Sequence, residues 1–221
     1  MSRYFHQEIE CLKDTMVAVG ALVEDRIAQA ITAIMRRDVD VAHEIAEGDA
    51  DINDMEVDVE AECLRLLARY HPVANDLRLV IAVLKINNDL ERMADLAAAM
   101  AKRAVNLATA QAIQIPSLLE DMASASQAMV QQSLQTFQQG NAALAQQVRD
   151  AGPAIDAYSR RLYALIYDQI HSDPEQSAPL MNVLAATQHL ERIADYATNV
   201  AEDVIYMVAG RIVRHQSAAS V

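Results

Sequence analysis

The sequence is poor in the residues that break helices or staple small folds. Glycine and proline occur only five times each in 221 residues, which argues for helix over sheet. Its two cysteines, Cys11 and Cys63, lie about fifty residues apart and form no CxxC pair. That argues against a redox or metal group, and each is read as a small packed side chain. No run approaches the ~18 consecutive apolar residues that a membrane-spanning helix requires. Basic residues are scarce, 18 Lys and Arg against 31 Asp and Glu, for a net charge of -13. No basic stripe is present, which argues against duplex nucleic acid as a ligand, whereas acidic surfaces attract metal ions or basic partner surfaces. The opening Met1 to His6 is followed at once by charge and does not read as a secretory signal. The chain is expected to be cytoplasmic, with membrane contact only through partners.

Catalytic patterns are missing as well. The histidines His6, His43, His71, His171, His189 and His215 show no HExxH or ExxH spacing, and no GxSxG, Walker-type loop or GxGxxG occurs. A di-iron carboxylate enzyme would aim ExxH pairs into a bundle core.

What is present is 52% hydrophobic residues arranged with helical periodicity. Met16, Val19, Val23, Ile27, Ile31 and Ile34 recur at three- and four-residue spacing, the mark of an amphipathic helix that begins near Glu8. Asp38 interrupts it. A second pattern carries Val41, Ile45, Ile52, Met55, Val59, Cys63 and Leu67 toward Tyr70, with Gly48-Asp49 inside it as a cap, a bend or a costly helical glycine. His71-Pro72 is the stop. A third pattern spans about Val73 to Thr109, roughly 55 Å at about 1.5 Å per residue.

After Pro116 the plan repeats. The first helix of the second half carries Leu118, Met122, Met129, Leu134 and Phe137 up to Gly140-Asn141; the second carries Leu144 to Ile166, with an interruption expected at Gly152-Pro153. Asp173-Pro174 is the stop, and the last helix is expected over about Ala178 to Arg214. Ile31, Ile34, Val41, Ile45, Ile52 and Met55 match Leu134, Phe137, Leu144, Val148, Ile155 and Tyr158 at an offset of 103. Beyond the proline turns the offset is 100: Leu90-Glu91-Arg92-Met93-Ala94-Asp95 returns as Leu190-Glu191-Arg192-Ile193-Ala194-Asp195. The expected fold is all-α, two tandem antiparallel three-helix bundles built by duplication, over residues 1–113 and 114–221.

On a helical wheel Leu90, Met93, Ala97, Met100, Ala104 and Leu107 form one apolar stripe. Glu91 and Asp95 lie about 40° apart and about 150° from its centre, one turn apart on an outward face. Glu191 and Asp195 repeat this, and Asn199 and Glu202 continue their ridge. Like charges at i,i+4 destabilise a helix by a few tenths of a kcal/mol, and hard cations seek carboxylate and amide oxygens. A neighbouring helix must then contribute, from Glu47, Asp49, Asp51, Asp54, Glu56 and Asp58 in the first half or Asp150 and Asp156 in the second. The plain alternative is a solvated surface with intrahelical ion pairs. Arg92 and Arg192, about 100° from the glutamates, reach either a partner surface or, in a structural role, an acid across the bundle.

The repeated segments Lys85 to Asp95 and His189 to Glu202, with the turn Pro72-Val73-Ala74-Asn75-Asp76-Leu77-Arg78, resemble the signature of the PhoU family of phosphate-uptake regulators. The resemblance runs from Phe5 to about Gly210. It implies two three-helix bundles, commonly dimeric and without enzymatic activity. Such a protein joins the ATPase subunit of the high-affinity phosphate transporter to a sensor histidine kinase, holding the starvation response off and restraining uptake. It also implies surface clusters of iron, zinc, manganese or magnesium. Glu91 and Asp95 would belong to one; Glu191, Asp195 and Asn199, with Glu202 beyond, to the other; Asp49 and Asp150 would contribute from the second helices. The first copy departs from the second, with Ala99 and Lys102 where Asn199 and Glu202 stand, so the first site is expected to bind metal more weakly. A metal-dependent carboxylate protein, enzyme or metal store, is the alternative class.

Overall fold

The computed structural model describes residues 3–47 and 49–213, and the side chains of residues 46–50 lie outside the described residues. The Gly48-Asp49 expectation falls there. The described secondary structure is helical: α1 (Arg3–Arg36), α2 (Val39–Glu47), α3 (Asp49–Tyr70), α4 (Ala74–Thr109), α5 (Ser117–Gln139), α6 (Ala142–Ser172) and α7 (Ser177–Ala209), with a short 3-10 turn at Pro174–Gln176. None of these helices is long and apolar enough to cross a membrane.

The duplication is visible in the turns. After α5, Gly140 takes a left-handed φ of 59° and the Asn141 N–H donates to Thr136 O at 3.0 Å; the Asn141 side chain then accepts from the N–H groups of Ala143 and Leu144 to start α6. The first half makes the same turn with other residues. Arg37 has φ 55°, the Asp38 N–H donates to Ala33 O at 3.0 Å, and the Asp38 carboxylate accepts from Asp40 and Val41. Both are left-handed helix ends followed by a side-chain N-cap.

Leu90, Met93, Ala97, Met100, Ala104 and Leu107 are all buried, as are Leu190, Ile193, Ala197, Val200 and Val204. Burial extends further round these helices than one stripe: Ala94, Ala98, Ala101, Ala194, Ala201, Asp203 and Ile205 are covered too. The reason is that α4 and α7 pack on each other, antiparallel and centrally, as well as on their own bundles. Met100, Ile31 and Ile34 of the first half meet Leu119, Ala123, Ala186 and Leu190 of the second around one small apolar void. A single hydrophobic cluster therefore runs through both halves. Further along the same interface α1 lies close to α5, and a Cβ on Gly20 would sit 2.7 Å from Leu134 Cδ2.

Three expectations are corrected. Gly152-Pro153 does not interrupt α6, although a proline inside a helix costs about 3 kcal/mol. Val148 and Ile155 on either side of it are buried, and burying each stabilises by roughly 1.5–3 kcal/mol, which offsets the lost bond. The last helix ends at Ala209, where Gly210 turns left-handed at φ 68°. Cys63 is buried, its thiol pushed up to about 12 by burial and by Glu62 and Glu60, but Cys11 is exposed on α1.

Candidate functional site

In the first half the acidic face lies along the α3–α4 groove. Asn87, almost wholly buried on α4, donates its Nδ2 to the Glu56 carbonyl oxygen of α3 at 2.9 Å, pinning the two helices. One turn further along α4, Glu91 is partly buried and Asp95 is exposed. Burial raises the Glu91 carboxyl above its ordinary range, with Asp95 and Glu56 adding to the effect and Arg92 opposing it. The sequence places several acids on this second helix. The fold brings the charge of Glu56 to bear on Glu91, while the Asp49 side chain lies outside the described residues.

The second half puts the equivalent face between α6 and α7, with a different facing residue. Ser159, buried on α6 at the position of Glu56, donates its Oγ to Glu191 Oε2 at 2.7 Å. Asp195 is exposed, and its carboxyl is raised by burial of its surroundings, by Glu191 and by Asp156 of α6, with Arg192 opposing. Asn199 is partly buried one turn on. Glu202 continues the ridge, but Arg149 of α6 takes it in an ion pair of 3.1 Å with both side chains only 11–12% exposed. Arg149 also donates to Gln146 Oε1 at 3.0 Å and to Val213 O at 3.2 Å. Asp150 accepts from Gln146 Nε2 at 2.9 Å and belongs to this outer chain rather than to the Glu191–Asp195 pair.

Each face thus gathers two carboxylates one turn apart with the charge of a third opposite: Glu56, Glu91 and Asp95 in one half, Asp156, Glu191 and Asp195 in the other. As they stand, no three His, Cys, Asp or Glu side chains among the described residues converge to hold an ion. Ser159 escaped the sequence reading because it sits on the apolar stripe of α6, between Ile155 and Leu162. A polar residue in a buried heptad place, matched by Glu56 in the other half, was the available signal. Arg92 and Arg192 form no ion pair among the described residues; Arg92 Nε donates instead to Asn88 Oδ1 at 3.0 Å.

Comparison with known proteins gives this arrangement a family. Residues 17–104 and 119–204 each match the PhoU domain. The chain is 35% identical to the phosphate-specific transport system accessory protein PhoU homolog of Pseudomonas aeruginosa, over 97% of this chain and 89% of that one. It is 35% identical to the homolog of Aquifex aeolicus, over 95% of each. The PhoU accessory protein of Escherichia coli is 27% identical over 97% of this chain and 89% of its own. The crystal structure of PhoU from Pseudomonas aeruginosa superposes with a TM-score of 0.91 at 35% identity, covering 94% of this chain and 100% of that one. The phosphate transport system regulatory protein PhoU from Streptococcus pneumoniae superposes with a TM-score of 0.85 at 30% identity, covering 95% and 99%. Two domain matches, one per half, and full-length likeness in sequence and shape place the chain in the PhoU family.

Proposed function

We propose that this protein is a non-catalytic accessory of phosphate transport: an adaptor between the ATPase subunit of the high-affinity phosphate transporter and a sensor histidine kinase. In this reading it acts in the cytoplasm as a homodimer, restrains uptake and keeps the starvation response off when phosphate is sufficient. The observation that carries it is the full-length match to proteins named phosphate-specific transport accessory proteins, joined to an acidic face presented twice by one continuous core. Two such faces on one body suit a protein that engages two partners. A pull-down from phosphate-replete cells is expected to recover the kinase, the transporter ATPase or both. Recovery of neither overturns the adaptor reading.

The same faces are proposed as metal sites for a divalent or trivalent ion such as iron, zinc, manganese or magnesium. The donor chemistry suits a hard cation, and the crowding that raises Glu91 and Asp195 is relieved when a cation replaces the missing positive charge. Binding then draws Glu56 or Asp156 inward by a change of rotamer. Because Arg149 holds Glu202, the asymmetry between the sites rests on Asn199 against Ala99 and on Lys102 beside the first face. Titrating a divalent ion should show a greater loss of affinity in E191A/D195A than in E91A/D95A. Equal losses overturn the asymmetry, and absence of bound metal in protein purified without chelator overturns the sites.

A further inference from the structure

Charge is spread unevenly along this chain. From Met122 to Val148 no side chain is charged, and Thr15 to Val23 is a second such stretch, although 22% of all residues are charged and the net charge is -13. The fold sets the two stretches side by side. α1 and α5 run antiparallel there, with Gly20 of one against Leu134 of the other. Between them lies an open groove of about 550 Å³, with Ala21 and Ala28 on one wall and Gln127, Ala128 and Gln131 on the other. A smaller hollow of about 160 Å³ shares Ala21 and Gln131 with it and carries the groove on to Val17, Gln135 and Gln138. Charge returns at the edges of the α1 stretch, with Asp14 before it and Glu24 and Asp25 after it.

The two walls of this face differ in chemistry. On α1 the large apolar side chains Val17 and Leu22 are 38% and 45% exposed, and Ala18 and Ala21 beside them are exposed as well. On α5 the wall is made of amides. Gln131, Gln135 and Gln138 are exposed and Gln127 is half-buried, and none of the four has a hydrogen-bond partner among the described residues. The centre of a protein interface is depleted of charge in the same manner. Covering an amide without pairing it costs about 1–3 kcal/mol, so whatever covers this face has to supply both donors and acceptors.

We propose that the α1–α5 face docks on the same face of a second copy of this chain, about a twofold axis. The proposal rests on the homodimer reading above and names the surface that makes the dimer. At a twofold contact a residue near the axis meets its own image. A charged side chain there meets a like charge, whereas an alkyl group meets an alkyl group. A glutamine amide is both donor and acceptor, so it can pair with its image. A foreign partner would be steered and selected by complementary charge, which the centre of this face lacks. Two copies at -13 each repel, but charges beyond about 8 Å are largely screened at physiological salt. Local charge then decides where the copies can meet, and a face with an uncharged centre suits that contact. Side chains of the second copy fill the groove that α1 and α5 leave open, and their amides supply the bonds that the glutamines lack within one chain.

Sedimentation equilibrium of the full chain over a range of concentrations at physiological salt tests this. The wild type is expected to dimerise. Q131E/Q135E and Q131K/Q135K should each weaken the dimer by at least about tenfold, although their added charges have opposite signs, because each charge meets its own kind across the axis. An equal mixture of the two variants should dimerise again. V57E/L64E, on the exposed apolar side of α3, should dimerise as the wild type does. All of these positions are on the surface, and circular dichroism checks that each variant is folded. A dimer that survives in both Gln131/Gln135 variants, or that is lost instead in V57E/L64E, overturns the proposal and leaves the homodimer standing. So does a lysine variant that dimerises more tightly than the wild type, or a mixture that stays monomeric. A wild type that remains monomeric up to about 100 μM, well above the Kd range of stable dimers, overturns the homodimer reading together with the surface.

Discussion

The two acidic faces carry the same signature on α4 and α7, yet the helices opposite them differ. Where the first half sets Glu56 against Glu91, the second sets Ser159, which hydrogen-bonds Glu191 at 2.7 Å. Where the first half has Lys102, with no ion-pair partner among the described residues, the second locks Glu202 to Arg149. Duplication has preserved the stripes and turns that build each bundle and has varied the residues that look across from the second helix. The shared core tolerates that variation, even though Ser159 itself stands buried on the stripe of α6 between Ile155 and Leu162.

The largest expected effect tests whether the halves share a core at all. Leu90 and Leu190 are both fully buried, and L90A and L190A should each cost about 3 kcal/mol. Urea unfolding followed by fluorescence and by circular dichroism should show one transition shifted equally by either change. Two separable transitions would split the molecule into independent bundles.

Next in size is the bond between Arg149 and Glu202. R149A strands a nearly buried Glu202 carboxylate and should cost roughly 1–3 kcal/mol, whereas R149A/E202A should recover most of that loss. K102A, at the place of Glu202 in the first half, should change stability by less than about 0.5 kcal/mol. A costly K102A would show that the first half has a bond the fold does not display.

The paired turns give a smaller effect of opposite signs. G140A forces a Cβ into a left-handed turn and should cost about 1 kcal/mol. R37G relieves the same strain at the equivalent turn but gives up the Arg37 bond to the Ile113 carbonyl oxygen, so its gain should be smaller than the loss in G140A. A destabilised R37G would mean that the bond to the interhalf link outweighs the backbone strain.

The smallest effect concerns pH. The raised carboxyls of Glu91 and Asp195 bind a proton more tightly in the folded chain than in the unfolded one. Stability from these groups is therefore highest on the acid side and falls as pH rises from the ordinary carboxylate range through the raised value. Without metal, E91Q and D195N should stabilise the protein at neutral pH by a few tenths of a kcal/mol and flatten that part of the profile. An unchanged slope in both variants would mean that the carboxylates do not repel.

The duplication, the six apolar patterns and the breaks at Asp38 and Gly140-Asn141 could be read from the residues, because periodicity acts within a few turns of one helix; that Asp38 and Asn141 cap the following helices is seen in the turns themselves. The pairing of Arg149 with Glu202 could not be read, since those residues lie far apart in the chain and meet only through the α6–α7 register. Proline 153 misled for a similar reason: its local penalty was plain, while the burial of Val148 and Ile155 that offsets it depends on α7.

Sequence alone determined that the protein is helical, that it is built twice, and which faces of α4 and α7 carry carboxylates. Only the tertiary structure decided that these two helices pack on each other, which buries a second face on each and joins the halves. It also decided which acid, serine or arginine stands opposite each signature. Local propensity and periodicity are properties of a single segment, whereas the partner of a side chain is set by the register in which two helices meet.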